Sequence, residues 1–223
     1  MTKATNGRRL ALLALSMFGL MTALTASAQA EAAKFWMGNK EESGFLLAIF
    51  TGAQEGTFKE LSFGNDLVVN CQVGGFKKGA LETVTLGEAE MAFTECSALS
   101  DATGKELPCT VDEPFIIKAK IVPLLHAKIK RYVTFEPLVA GTPLGTLVLL
   151  GESCPVKGSY KVTGSISAEM TVNNSVTDLI KFSQGFSQLV KDTLTMGTFQ
   201  AFWTGAYSWA LSGAHTGFTF GVI

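Results

Sequence analysis

Apolar and polar residues alternate over two long stretches of this 223-residue chain. In the first, Tyr160, Val162, Ile166, Ala168 and Met170 share one face, and Lys161, Thr163, Ser165, Ser167 and Glu169 the other. Alternation sustained from Tyr160 to Met170 predicts a half-buried antiparallel strand. In the second, Phe199, Ala201, Trp203, Tyr207, Trp209 and Leu211 fall on one face, with Gln200, Thr204 and Ser208 opposite. Ser212-Gly213-Ala214-His215 then reads as a turn, with Phe218 and Phe220 beginning a return strand.

Further strands are expected at Gly44–Thr51, Thr57–Phe63 and Leu67–Val73. Between Leu81 and Cys96 the alternation changes phase at Gly87, which places a bulge or tight turn there. Phe115–Val122 and Ile129–Phe135 flank Pro123-Leu124-Leu125-His126, the turn of a predicted hairpin, and Leu147–Glu152 leads into a turn at Cys154–Gly158. Residues 176–191 partly fit a helical stripe, but Gly185 interrupts it, and two short strands are expected there. Short strands at this spacing predict an all-β, antiparallel β-sandwich of roughly eight to twelve strands in a single domain over 31–223.

The first thirty residues stand apart. Lys3, Arg8 and Arg9 precede an apolar run from Leu10 to Leu24, and Ala28-Gln29-Ala30 ends the segment with small residues. This is the pattern of a secretory signal peptide over 1–30, cleaved after Ala30. The run is shorter than the roughly 20 apolar residues a spanning helix needs. Cleavage leaves 15 Lys and Arg against 19 Asp and Glu, a net charge of −4. That balance speaks against nucleic acid and anionic lipid as partners, and no membrane contact is expected after cleavage.

Export gives the cysteines their meaning. Cys71, Cys96, Cys109 and Cys154 all follow the leader, and an even count in an exported chain predicts two disulfides. The turn-rich stretch between Cys96 and Cys109 favours a Cys96–Cys109 bridge, leaving Cys71–Cys154. A zinc site wants closely spaced cysteine pairs, and the chain has no C-x-x-C.

Candidate chemistry is sparse. Neither His126 nor His215 sits in a metal-binding spacing, and no G-x-S-x-G elbow or phosphate-cradling glycine loop occurs. No cofactor and no metal is expected. Glu88 and Glu90 share a strand face about 7 Å apart, the arrangement a carboxylate-dependent hydrolase uses; Glu41 with Glu42 and Asp112 with Glu113 are further pairs. Asp66, Asp101 and Asp112 are candidate calcium ligands, but without a D-x-D-x-D-G loop. Lys118, Lys120, Lys128, Lys130 and Arg131 form the one local concentration of charge. They read either as lysines protecting an edge hairpin or as ligand contacts for an anionic partner. Trp203, Tyr207 and Trp209 read as core; the other readings are a sugar-stacking platform or the lipid-facing girdle of a membrane barrel.

The cysteine contexts Asn70-Cys71-Gln72, Thr94-Glu95-Cys96 and Pro108-Cys109-Thr110, with the stretch Gly151-Glu152-Ser153-Cys154-Pro155 running on through Gly164, carry a resemblance. Over residues 55–215 the chain resembles a loose group of uncharacterised secreted, cysteine-containing all-β proteins of high-GC Gram-positive bacteria. The resemblance implies export and β structure, and brings no activity and no functional residue with it. The expectation is an exported, non-enzymatic β-sandwich, an extracellular or cell-envelope binding or surface-structural module for a glycan or protein. The alternatives are a secreted carboxylate-dependent hydrolase and a small outer-membrane β-barrel.

Overall fold

The computed structural model describes residues 33–38, 45–53, 60–63, 67–126, 130–182 and 193–223. The expectations for the leader at 1–30, for Glu41, Glu42, Asp66 and Lys128, and for 183–191 lie outside the described residues. The strands, in order, are β1 (Phe35–Met37), β2 (Phe45–Ala53), β3 (Glu60–Phe63), β4 (Leu67–Thr83), β5 (Leu86–Ser100), β6 (Glu106–Val111), β7 (Phe115–His126) and β8 (Lys130–Pro137). The second half holds β9 (Gly145–Leu150), β10 (Gly158–Thr163), β11 (Ile166–Met170), β12 (Thr177–Phe182), β13 (Thr195–Met196), β14 (Phe199–Trp203), β15 (Gly205–Ser212) and β16 (Phe220–Val222). Every strand pairing is antiparallel. The all-β antiparallel class with two disulfides is therefore the class of this protein.

Among the described residues, hydrogen bonding joins β2 through β15 in a closed barrel, with β1 and β16 in a separate two-stranded sheet. The long β4–β5 hairpin is shared by two closed circuits. One passes through β4, β2, β15, β12, β11, β8, β7 and β5. The other passes through β4, β3, β14, β13, β10, β9, β6 and β5. Length makes the sharing possible. Residues 67–70 of β4 pair with β3, while residues 75–83 pair with β2. On the other strand, residues 87–93 of β5 pair with β7, and Ser97 and Leu99 with β6. Closing both rings removes the exposed backbone edges that an open sandwich must protect.

The interior is filled by side chains. Phe76 on β4 reaches across to Phe135 on β8, with ring centroids 6.4 Å apart, and Phe93 on β5 meets Tyr207 on β15 at 6.3 Å. One hydrophobic core runs through both rings, from Leu81, Met91 and Trp209 in the first to Leu147, Val162 and Met196 in the second. The β1–β16 ribbon packs Phe35, Met37, Phe220 and Val222 into this core. The Phe35 N–H bonds the Val84 carbonyl at the β4–β5 turn.

Several predicted strands prove to be two. The stretch Tyr160–Met170 breaks at Gly164, where φ is +91°, so β10 belongs to the second ring and β11 to the first. A Cβ at Gly164 would overlap the Thr193 carbonyl, and only glycine leaves room for that crossing. Phe199–Leu211 likewise divides into β14 and β15 around Thr204, one in each ring. The phase change at Gly87 falls just inside β5, next to a register shift in the β4–β5 ladder between Leu81 and Thr83, and the hairpin turn lies at Val84 and Thr85. Pro123 lies inside β7, and the β7–β8 turn comes after His126. The return strand at Phe220 pairs with β1.

Candidate functional site

Of the basic residues proposed as ligand contacts, Lys118, Lys120 and Lys130 are taken up by a cross-strand charge ladder. On β7, Lys118 and Lys120 stand opposite Glu90 and Glu88 of β5, and on the other side Lys120 faces Glu136 of β8. Lys118 Nζ lies 3.4 Å from Glu90 Oε2, Lys77 Nζ 3.6 Å from Glu90 Oε1, and Lys120 Nζ 3.1 Å from Glu136 Oε2. Lys130 Nζ is 4.0 Å from Glu169 Oε1 on β11. Opposite charges directly across a ladder are the favourable arrangement for sheet neighbours. The β7–β8 hairpin is not an edge, because β7 pairs with β5 and β8 with β11. Arg131 leaves the lysine row: alternation points it the other way, and its Nε donates to the Val222 carbonyl at 2.8 Å. Among the described residues, Lys118, Lys120, Lys130 and Arg131 do not form one open patch.

The Glu88–Glu90 pair shares a face, as its spacing implies. Burial alone would raise the Glu90 carboxyl. The hydrogen bond from Lys118 and the charges of Lys118, Lys77 and Lys78 outweigh that and hold it below its usual range. A glycosidase general acid needs the opposite displacement. Glu113, half of another carboxylate pair, acts on the backbone: its Oε2 and Oε1 accept from the N–H groups of Glu95 and Cys96 at 2.8 and 2.6 Å. Glu95 has φ of +55°, which turns two successive N–H groups towards one acceptor, a small anion nest. Here β5 has left β7 at Phe93 and has not yet reached β6 at Ser97.

The cysteines pair as Cys71–Cys96 and Cys109–Cys154, in place of the expected Cys96–Cys109 and Cys71–Cys154. Register explains the difference. Cys71 and Cys96 are direct partners across the β4–β5 hairpin. Cys109 sits on β6, whose partner β9 leads straight into the turn carrying Cys154. His126 ends β7, and His215 lies in a single 3-10 turn with its ring 5.9 Å from that of Phe218. Trp203, Tyr207 and Trp209 are core residues, not a sugar platform. Among the described residues, no three His, Cys, Asp or Glu side chains are grouped to hold a metal ion.

A second polar constellation escaped the sequence reading. Asp178 is fully buried, and its carboxylate accepts from the Val172 and Asn173 N–H groups at 3.2 and 3.1 Å. Asn173 Oδ1 accepts from the Val222 N–H at 2.7 Å, and the Asn174 N–H donates to the Phe220 carbonyl. Asn173 and Asn174 both adopt positive φ, and that consecutive Asn pair was the signal for a special turn. The constellation seats β16 against the β11–β12 connection.

No family model matches the chain, and neither a curated protein nor a solved structure matches it. Its four cysteines, all oxidised, suit an oxidising compartment. Among the described residues no helix is long and apolar enough to cross a membrane.

Proposed function

We propose that this chain is exported by its first thirty residues and acts outside the cytoplasm as a non-enzymatic binding or surface-structural module for a glycan or protein. The observation that carries the reading is the use made of its reactive groups. All four cysteines are structural bridges, Glu90 is held between two lysines, and Glu113 is bonded to backbone. The charged ladder on the outside of the first ring and the aromatic filling inside support a water-soluble barrel. A membrane barrel shows the reverse pattern, with an apolar outer band and a polar interior.

The test is fractionation of expressing cells, followed by intact mass before and after reduction and by glycan and protein binding screens. The expected product is soluble, begins at Glu31 and gains about four hydrogens on reduction, as two disulfides require. Recovery only in detergent would overturn the soluble reading. Turnover of a substrate that is lost in the Glu88→Gln/Glu90→Gln variant would establish the hydrolase in its place.

A further inference from the structure

The Cys71–Cys96 bridge sits at the branch point of the fold, and among the described residues the charged residues directly beside it are Glu60, opposite Asn70 in the ladder, Glu95 and Glu113. On β4 the adjacent residues are Asn70 and Gln72, both neutral. On β5 it is Glu95, exposed and next to Cys96. Past β6, whose Thr110 faces Ser97, the corner carries exposed Asp112 and Glu113. The Glu113 carboxylate is held against Cys96, with Oε1 2.6 Å from its nitrogen. Covalent geometry then keeps that oxygen within about 7 Å of Cys96 Sγ. The Cys109–Cys154 bridge differs, because its turn carries both signs, Glu152 and Lys157, the latter with its N–H bonded to the Cys154 carbonyl.

We propose that Glu113, with Glu95 beside it, makes the Cys71–Cys96 bridge charge-selective towards thiols: anionic thiols of the glutathione class are repelled, and cationic thiols are admitted. In the exchange, a thiolate attacks one bridge sulfur, the S–S bond breaks, and the electron pair leaves on the other cysteine as thiolate. A second thiol molecule then displaces the mixed disulfide, so two thiols are oxidised to one small disulfide as two cysteines are reduced. Negative charge spreads over three sulfurs during the attack, beside the Glu113 carboxylate, and the charge carried by the thiol reagent adds to or offsets that repulsion. Each unit of charge by which two thiol reagents differ, held about 7 Å from the carboxylate at an effective dielectric constant between about 40 and 80, separates their rates roughly 3- to 8-fold. The consequence is a staple at the branch point that resists reduction by anionic thiols.

The experiment uses the folded chain with both bridges intact. It is reduced at low ionic strength with cysteamine, 2-mercaptoethanol or glutathione at equal thiolate concentration. Alkylation and peptide mass report each bridge separately. The expected order at Cys71–Cys96 is cysteamine, then mercaptoethanol, then glutathione. The cysteamine-to-glutathione ratio should fall about 3- to 8-fold in Glu113→Gln and fall similarly in 1 M salt, which screens exposed charges within a few ångströms. Glu95→Gln keeps the backbone clamp and tests the same charge effect if Glu113→Gln folds poorly. Ratios unmoved by salt and by both substitutions would overturn the proposal. So would equal discrimination at Cys109–Cys154, since net protein charge would then account for it.

Discussion

Phe182 and Trp203 stack face to face, with ring centroids 4.4 Å apart and planes 3° from parallel. Phe182 ends β12 in the first ring and Trp203 ends β14 in the second, so this one contact crosses between the two circuits. Phe93, on the shared hairpin, meets Trp203 edge-on at 5.4 Å. Trp203→Ala should destabilise the fold by about 3–5 kcal/mol, the range for emptying a large aromatic site. Phe182→Ala should cost a similar amount, and the double variant less than the sum, because the two share one contact. Urea unfolding of the three variants checks both statements, and strict additivity would place the two rings outside energetic contact.

Gly221 must remain glycine for reasons of space, not of dihedral angle. A Cβ there would overlap Asn173 Oδ1 and lie about 3.0 Å from the Asn174 nitrogen. Asn173 cannot simply move, because it accepts from the Val222 N–H. Gly221→Ala should therefore cost about 1–3 kcal/mol, as overpacking does. Local loss of amide protection should appear first at Lys34 and Ile223, whose N–H groups bond each other's carbonyls. Full protection there in the variant would contradict the account.

Much of the fold is legible because alternation persists across the breaks at Gly164 and Thr204, although Ser167 on the polar face is buried and Tyr160 on the apolar face is only half-buried. Val162, Ile166, Ala168 and Met170 are buried as predicted, although Gly164 parts them between two rings. Alternation reports which face a residue takes and is silent about which strand lies beside it. That is why closure into rings and the disulfide pairing escaped. Cys71 and Cys96 stand opposite only once the hairpin turn is placed at Thr83–Leu86. The charge ladder was half legible: Lys118, Lys120, Glu88 and Glu90 were all noticed, but as separate basic and acidic features. Strand register makes them one structure. Asp178 was illegible, since nothing near it in sequence shows that its partners are backbone N–H groups.

Tyr207 and Tyr132 are both buried phenols raised above their ordinary range, and Tyr207 is the more strongly raised. Burial pushes its hydroxyl far above the usual phenol range, and the Trp203 Nε1 donor at 3.3 Å offsets only part of that. A phenol raised in the folded state stabilises fully below its unfolded pKa near 10, and that stability is lost as pH rises beyond it. Stability should therefore fall steadily above about pH 10. Tyr207→Phe should reduce that slope while costing about 1–3 kcal/mol at neutral pH through the unpartnered indole N–H. Unfolding free energies from pH 8 to 11 check the slope, and an unchanged slope would remove Tyr207 from the alkaline transition.

Glu90 contributes at the opposite end of the pH scale. Its folded carboxyl lies below the usual value of 4.5, so its stabilisation is present above that value and lost as pH falls through the lower folded one. The Glu90→Gln variant should match the native chain near pH 3 and fall behind it at pH 7. Each exposed pair is worth about 0.2–1 kcal/mol, and the difference should shrink in high salt. A Glu90→Gln/Lys118→Ala cycle with no coupling energy at low salt would show that the ladder is geometric only.

The two bridges close loops of different length, with sequence separations of 25 and 45. In the chain-entropy model these are worth about 3.5 and about 4 kcal/mol. The positions sharpen the comparison. Cys71–Cys96 joins strands already paired on both sides of it, at Asn70 with Ser97 and Val73 with Thr94. Cys109–Cys154 ties β6 to a turn, and the β6–β9 pairing behind it includes only Thr110 with Leu150 and Val111 with Leu149. Paired serines at Cys109 and Cys154 should therefore destabilise at least as much as paired serines at Cys71 and Cys96. They should also expose amides of β6 and β9 to exchange before those of the hairpin. Earlier exchange in β4 and β5 would reverse the order and make the shared hairpin the weaker element.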